Sequence, residues 1–317
     1  MEGANETAVS EFILLGLSTI EDHLQVFILL LLFLMYLVTL LGNTLVIFIV
    51  WVDHRLHTPM YFFISNFSFL EILFTSVTNP KMLLNFITDR KTISFAMCMA
   101  QSYFYFAVGA TEFAVLVVMS FDRYVAICCP LQYVTIMRPR LCVQLVLGSW
   151  VGGFSVISLH MVMMSKLRFC GPNVINHFFC DSTPLFQLSC VDTHLIQKMD
   201  AILLSTIMFS SLCLTMVSYS CILFSILRIP STVGRKKAFA TCTSHLMVVS
   251  LAYGSCIFMY ARPVTGYALD LNKGVAVLNT ILTPFLNPFI YTFRNKNVKL
   301  ALRDAINHRI AKLSPIF

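Results

Sequence analysis

Seven apolar runs constrain this chain more than anything else in it. They lie near residues 24–50, 59–84, 95–129, 141–163, 199–228, 238–261 and 272–293. Each can cross a bilayer as a helix, which takes about 20 residues. Lipid offers no partner for a loose N–H or C=O, so a spanning segment must satisfy its own backbone, and a helix does so. Composition agrees: 58% of the 317 residues are hydrophobic and 12% are charged, about half the charge of a soluble domain. The net charge of +7 would suggest nucleic acid in a soluble protein. Here the basic residues fall between the apolar runs, so topology accounts for them and no nucleic-acid partner is expected. The reading is an all-α membrane protein, a seven-transmembrane helix bundle over 24–293. An extracellular N-terminal tail over 1–23 precedes it, and a short cytoplasmic amphipathic helix and tail over 294–317 follow. Pro80, Pro284 and Pro288 fall inside spans and predict kinks.

Charge sets the orientation. With the N-terminus outside, the inner segments carry fourteen Lys and Arg and the outer loops seven; the positive-inside rule favours that arrangement. The first 23 residues hold five acids and no Lys or Arg, and lack a basic n-region and a small-residue cleavage site. No cleaved signal peptide is expected. Asn5-Glu6-Thr7 is a glycosylation sequon in this polar stretch, whereas Asn66-Phe67-Ser68 matches the same pattern inside an apolar span. In the C-terminal segment Leu300, Leu302, Ala305, Ile306, Ile310 and Leu313 alternate with basic residues. This predicts a helix lying on the anionic inner leaflet.

The stretch from Cys98 to Tyr133 links the two faces. From Cys98 to Asp122 a helix rises about 36 Å, the thickness of a bilayer. It has a cysteine at one end, a single acid (Glu112) within, and Asp122-Arg123-Tyr124 at the other end. Of eleven cysteines, Cys98, Cys170, Cys180 and Cys190 face the outer, oxidising side, where disulfides persist. Spacing alone leaves their pairing open. The other seven read as free thiols packing as small hydrophobes. His177, Cys180 and Asp181 lie close in sequence, but no tetrahedral ligand pattern completes a metal site.

Six motifs in order carry a family resemblance. They are Gly42-Asn43 in span one, Leu56-His57-Thr58-Pro59-Met60-Tyr61-Phe62-Phe63 opening span two, and Met119-Ser120-Phe121-Asp122-Arg123-Tyr124-Val125-Ala126-Ile127-Cys128 ending span three. Ser218-Tyr219 follows in span five, then Lys237-Ala238-Phe239-Ala240-Thr241-Cys242-Thr243-Ser244-His245-Leu246 entering span six, and Pro284-Phe285-Leu286-Asn287-Pro288-Phe289-Ile290-Tyr291 closing span seven. With these the chain resembles the rhodopsin-like G-protein-coupled receptors, and within them a vertebrate odorant receptor. It departs from the family pattern at Ser120-Phe121, Ala240 and Asn279, where the family favours Ala-Tyr, Ser and Tyr. The resemblance implies disulfides Cys98–Cys180 and Cys170–Cys190. The first would pin the long outer loop over span three as a lid.

The resemblance also implies a ligand cavity among the outer halves of the helices, for a small volatile organic molecule. Tyr105, Phe106, Gly109, Ala110 and Phe113 would form one wall, with helical spacings that place most of them on one side. Leu203, Leu204 and Ile207 from span five, Tyr253, Cys256, Ile257 and Tyr260 from span six, and Thr280 from span seven would face them. Tyr105 and Tyr260 are the candidates to bond a ligand oxygen. No Lys or Arg lies deep in this set, which favours alcohols, aldehydes, ketones or esters over acids. Each residue could equally serve helix packing. Glu71 and Glu112 are intramembrane carboxyls; they could share a sodium ion or a proton, or bond Asn43, Asn287 or backbone. No other cofactor is expected.

At the inner face Asp122 would hold Arg123 at rest. The family implies that outward motion of span six frees Arg123 for the Gα C-terminal helix, with Tyr124, Tyr219, His245, Asn287, Pro288 and Tyr291 in the same switch. The implied partner is a stimulatory olfactory-type Gα with its βγ, raising cAMP, in a receptor of the plasma membrane. Membrane lipid is the other partner, and the need for an escort protein stays open. Gly148-Ser149-Trp150-Val151-Gly152 matches a small-xxx-small packing motif that would let a neighbouring helix approach. A transporter would show inverted repeats or paired broken helices, and neither is evident. A membrane enzyme would show His-Glu-x-x-His, Gly-x-Ser-x-Gly or a phosphate loop; none occurs.

Overall fold

The computed structural model describes residues 9–16, 22–88, 91–170, 172–260, 268–294 and 297–304; the side chains of 22–23, 237, 259–260, 268–272 and 293–294 lie outside that description. Asn5 and residues 305–317 also lie outside it. Among the described residues seven helices are long and apolar enough to cross a membrane: Leu24–Val52, Pro59–Ile87, Phe95–Cys128, Pro139–Met164, His194–Leu227, Thr232–Phe258 and Lys273–Thr292. They match the seven apolar runs in order. The fifth begins at His194 rather than near 199 because polar residues continue it past the apolar stretch. There the Gln197 backbone N–H donates to the Thr193 carbonyl at 2.8 Å, and Gln197 Nε2 to Thr193 Oγ1 at 2.7 Å. Such a turn satisfies backbone donors that a helix end otherwise leaves open.

The third span is the axis of the bundle. Ser94 caps it, its side chain accepting from the Met97 N–H. It packs against the second, fourth, fifth and sixth spans. Its closest approach is to the fourth, where Gly153 has no side chain to hold the helices apart. A Cβ there would fall on the Thr111 hydroxyl, 2.9 Å from the Thr111 N and 3.1 Å from the Ala107 O. At Gly148 and Gly152, the pair that matched the packing motif, an added Cβ would meet nothing within 4 Å. The intramolecular contact therefore uses the glycine next to the motif. A second close approach joins spans one and seven, where a Cβ on Gly42 would sit 2.9 Å from Pro288 Cγ.

Span seven is irregular where its prolines cluster. A π-helical turn occupies Leu278–Leu282, just before Pro284. Proline lacks an N–H, so the carbonyl four residues before it loses its usual donor, and a wider turn accommodates that. Beyond this span, residues 297–304 are helical, with Val298 and Ala301 buried against the bundle and Leu300 exposed. Arg55 at the first inner turn bonds both Asp53 and Asp304, each at 2.7 Å, and so ties this segment to the helix ends.

One element was not expected. Residues Glu11–Leu14 form a strand (β1) at the centre of a small sheet ordered β2-β1-β3. It runs antiparallel to β2 (Thr92–Ser94), with Phe12 opposite Ile93, and parallel to β3 (Val174–Ile175), with Ile13 opposite Val174. Strand alternation puts Phe12 and Leu14 on one face, and both are fully buried. They pack on Ile93, Met164, Ile175 and the Cys98–Cys180 pair in a second, outer core separate from that of the bundle. Part of the N-terminal stretch is thus a structural cap joining the loop after span two to the long loop after span four.

Candidate functional site

The long loop between spans four and five folds back over the bundle. Cys180 is joined to Cys98 at the head of span three, and Cys170 to Cys190 within the loop. Cys180 is therefore not a thiolate that could bind metal. The Cys180 N–H donates to Gln101 Oε1 at 3.0 Å, and Gln101 Nε2 donates to the Val77 carbonyl at 3.0 Å, so spans two and three grip the same point. On one side the Gly16 N–H donates to the His177 carbonyl at 3.1 Å. On the other, Lys273 of span seven donates through Nζ to Asn176 Oδ1 at 2.6 Å. Lys273, read from the sequence as an outer-loop charge, is buried here. The lid is held by the N-terminal strand, by span three and by span seven at once.

Beneath the lid Phe179 meets Tyr105 at a tilt, 4.5 Å between ring centroids, and Tyr105 stacks on Phe74 at 4.8 Å. Below these rings lies a narrow cavity of about 90 Å³. Spans two, three, five, six and seven all contribute to its wall. Eight residues expected at a ligand site meet there: Tyr105, Phe106, Gly109, Ala110, Phe113, Leu204, Ile207 and Cys256. Leu203, Tyr253 and Thr280 do not line it; Tyr253 packs behind Phe113 at 5.1 Å, and Thr280 Oγ1 donates to the Ala276 carbonyl at 2.8 Å. Ile257 is 41% exposed on the outer surface of the bundle, away from the cavity. The Tyr260 side chain lies outside the described residues.

Sequence reasoning missed the wall supplied by span two. Phe67, Glu71 and Phe74 line the cavity, and their spacing of four and three residues was the available signal, since it places all three on one helix face. The two acids expected to form an ion site both line the cavity. Asn287 Nδ2 donates to Glu71 Oε1, and Asn43 Nδ2 to the Thr39 carbonyl at 3.0 Å. Among the described residues no group of three or more His, Cys, Asp or Glu is placed to hold a metal ion.

At the inner end of span three Asp122 is fully buried and Arg123 nearly so. Arg123 Nε donates to Asp122 Oδ2 at 3.0 Å, with a second, shorter bond from its Nη2 to the same oxygen. Tyr133, in the following inner loop, donates to Asp122 Oδ1 at 2.8 Å. Tyr219 and His245 join spans five and six through a 2.5 Å hydrogen bond between the tyrosine hydroxyl and Nδ1. Tyr124 stacks on Phe121 at 6.4 Å, and the buried Tyr291 meets Phe67 edge-on at 6.5 Å. Residues named for the switch therefore occur here as two bonded pairs, Tyr124 stacked on Phe121, and Asn287, Pro288 and Tyr291 on span seven.

A profile of the olfactory receptor family matches residues 32–310. The chain belongs to that family. It is 55% identical to Olfactory receptor 6E1 of Mus musculus over 96% of this chain and 97% of the relative. It is 52% identical to human Olfactory receptor 6J1 over 94% and 85%, and 50% identical to human Olfactory receptor 6C4 over 98% and 99%. As an olfactory receptor it is a G-protein-coupled, multi-pass membrane protein and not an enzyme.

The lid of this receptor carries two titratable groups of opposite behaviour, a buried His177 and a half-buried Asp181. Burial, and then the charge of Lys273, push the His177 imidazole down to about 3. Burial pushes the Asp181 carboxyl up to about 6, against a backbone bond from Ser182. A histidine that is harder to protonate when folded loses stability as pH falls below its ordinary 6.5. A carboxyl that is easier to protonate when folded gains stability as pH falls through 6. From pH 7 to pH 5 the first change costs about 2 kcal/mol and the second returns about 1 kcal/mol. Wild-type melting in nanodiscs should therefore change little over that range. Asp181→Asn should lose about 2 kcal/mol on acidification, and His177→Gln should gain. Parallel behaviour of the two variants would refute this assignment.

Proposed function

We propose that the receptor binds a small volatile organic ligand in the cavity under the lid and activates a stimulatory olfactory-type G protein, raising cAMP. The observation that carries this is the cavity itself. Five spans wall it, and the helix forming its main face ends in the buried Asp122–Arg123 pair. A ligand that favours one arrangement of those five helices shifts the equilibrium between them. Eight of the residues expected at a ligand site supply the apolar wall, in keeping with a mostly apolar ligand. The remaining expected site residues enter the reading as support around that wall. The receptor sits in the plasma membrane with its N-terminus outside and C-terminus inside, carries a glycan at Asn5, and has the domain limits expected from the sequence. Sodium held between Glu71 and Glu112 would favour the resting arrangement. Escort proteins bear on its delivery to the surface.

The test is a panel of volatile alcohols, amines, aldehydes, ketones, esters and acids applied to reporter cells and read through cAMP. At least one non-acidic member should raise cAMP in cells bearing the receptor. Gly109→Leu should abolish that response while surface delivery is unchanged. A Cβ at Gly109 meets only Phe74 Cε2, at 3.7 Å, so the backbone tolerates a side chain while the cavity is filled. Activation by carboxylates alone, or a response that survives Gly109→Leu, would count against the reading.

A further inference from the structure

We infer that the Glu71–Glu112 pair receives the ligand's own head group, and that this group is a hydrogen-bond donor, strongest as a primary ammonium. The inference rests on the reading of the cavity as the odorant site and names the chemical class that the site selects. Glu71 is 2% exposed, and Asn287 occupies only one of its oxygens. Its Oε2 is buried and has no partner among the described residues, and the same holds for Glu112 Oε1. Both side chains line the cavity together with Gly109 and Phe113. Among the described residues no Lys, Arg or His lines it to supply the missing donors. Asn279 also reaches the lining; its Oδ1 accepts from Ser255 Oγ at 3.0 Å, and its amide N–H is engaged by the Cys256 sulfur.

Buried acceptors left unmet in an apolar site are costly, and a ligand that brings N–H or O–H recovers that cost. A ketone, an ether or a carboxylate brings only acceptors: it can take at most a proton that the pair holds, and it leaves the remaining carboxyl oxygens unmet. The rings of Phe74, Phe106 and Phe113 line the space, and aromatic rings attract a cation. Size points the same way. A cavity of about 150 Å³ admits benzene, and this one, at about 90 Å³, admits a head group with a short chain. The odorant cavity and the intramembrane acid pair are on this account one site. Sodium and the ligand head group compete for the same oxygens.

The experiment is thermal melting of the purified full-length receptor in nanodiscs at pH 7 in potassium chloride. The probes are n-propyl-, n-butyl- and n-pentylammonium, the matching alcohols, methyl ethers and carboxylates, each against no addition. Expected is a rise in melting midpoint ordered ammonium, then alcohol, with ethers and carboxylates inert. Replacing potassium by sodium should suppress the ammonium effect. Glu112→Gln should weaken apparent ammonium affinity about 10- to 100-fold. If that variant does not fold, the wild-type probe series and the sodium competition decide. The inference is overturned when no ammonium probe raises the wild-type midpoint above its matched ether, when sodium leaves the ammonium effect intact, or when Glu112→Gln binds it equally. A cAMP response abolished by Gly109→Leu, without any ammonium effect, removes this inference and leaves the odorant-site reading standing. An ammonium effect together with odorant responses indifferent to Gly109→Leu removes that reading instead.

Discussion

Gly153→Leu should leave almost no receptor at the cell surface, while Gly152→Leu, one residue away, should be delivered as the parent is. The two positions share a helix, a neighbour and a propensity, so helix formation itself cannot separate them. What separates them is the direction each would point a side chain. At Gly152 a Cβ has nothing within 4 Å and would face lipid. At Gly153 it would fall on the Thr111 hydroxyl and within 2.9 Å of the Thr111 N and 3.1 Å of the Ala107 O. The Thr111 hydroxyl is itself committed to the Ala107 carbonyl at 2.8 Å. Rotating it away would leave a buried hydroxyl unpaired, and the two backbone atoms cannot move without moving span three. Overpacking of this kind costs about 1–3 kcal/mol where side chains can adjust, and more where backbone is the obstacle. Only a few kcal/mol hold a domain folded. Surface labelling of tagged receptor, normalised to total expression, measures the effect. Equal surface levels for the two variants would mean that spans three and four do not pack through Gly153.

That contrast also shows where sequence reasoning reaches its limit in a bilayer. The seven spans were legible because lipid demands about 20 apolar residues at a stretch and the chain supplies seven such stretches. The direction of a residue within a span was much less legible. In a soluble helix the polar face marks the outside, but a helix in lipid is apolar all round and carries no such mark. Cys256 and Ile257 are adjacent and both apolar; one lines the cavity and the other faces outward. Gly148 and Gly152 fit a packing motif and touch nothing, while Gly153 makes the contact. Phe67 and Phe74 read as ordinary members of an apolar run although both line the cavity. Charged residues were placed better because they are costly in lipid and must find partners. Glu71, Glu112, Asp122 and Arg123 were all singled out, and all sit at one of the two ends of the proposed signal path. The strand Glu11–Leu14 was invisible for a different reason. It is four residues long, and its partners lie beyond the second and fourth spans, so no local pattern announces it.

The second large effect is expected at the inner end of span three, and its diagnostic feature is a difference of sign. Arg123→Ala should silence the receptor at every odorant concentration, scored per receptor at the surface. Asp122→Asn, at the other end of the same bond, should instead raise cAMP without odorant. A purely structural ion pair would give the same sign for both, because either loss leaves a buried polar group unpaired and lowers the folded population. A restraint gives opposite signs: removing the arginine removes the group that meets the Gα helix, and removing the carboxylate charge releases it. The geometry allows the two to be graded. Asp122 holds Arg123 through Oδ2 and is itself held by Tyr133 through Oδ1 at 2.8 Å. Tyr133→Phe removes only that support and should raise basal cAMP less than Asp122→Asn does. Loss of a hydrogen bond to a charged group is worth about 1.5–3 kcal/mol, and every 1.4 kcal/mol is about tenfold in an equilibrium. A resting receptor active about 1% of the time would then be active about 10% of the time or more. None of the three substitutions touches the Tyr219–His245 bond between spans five and six, which should therefore persist in each variant. It caps the basal rise, because span six remains tied when Arg123 is free. A fall in basal cAMP for Asp122→Asn, per receptor at the surface, would show that the pair stabilises the fold and does not restrain signalling.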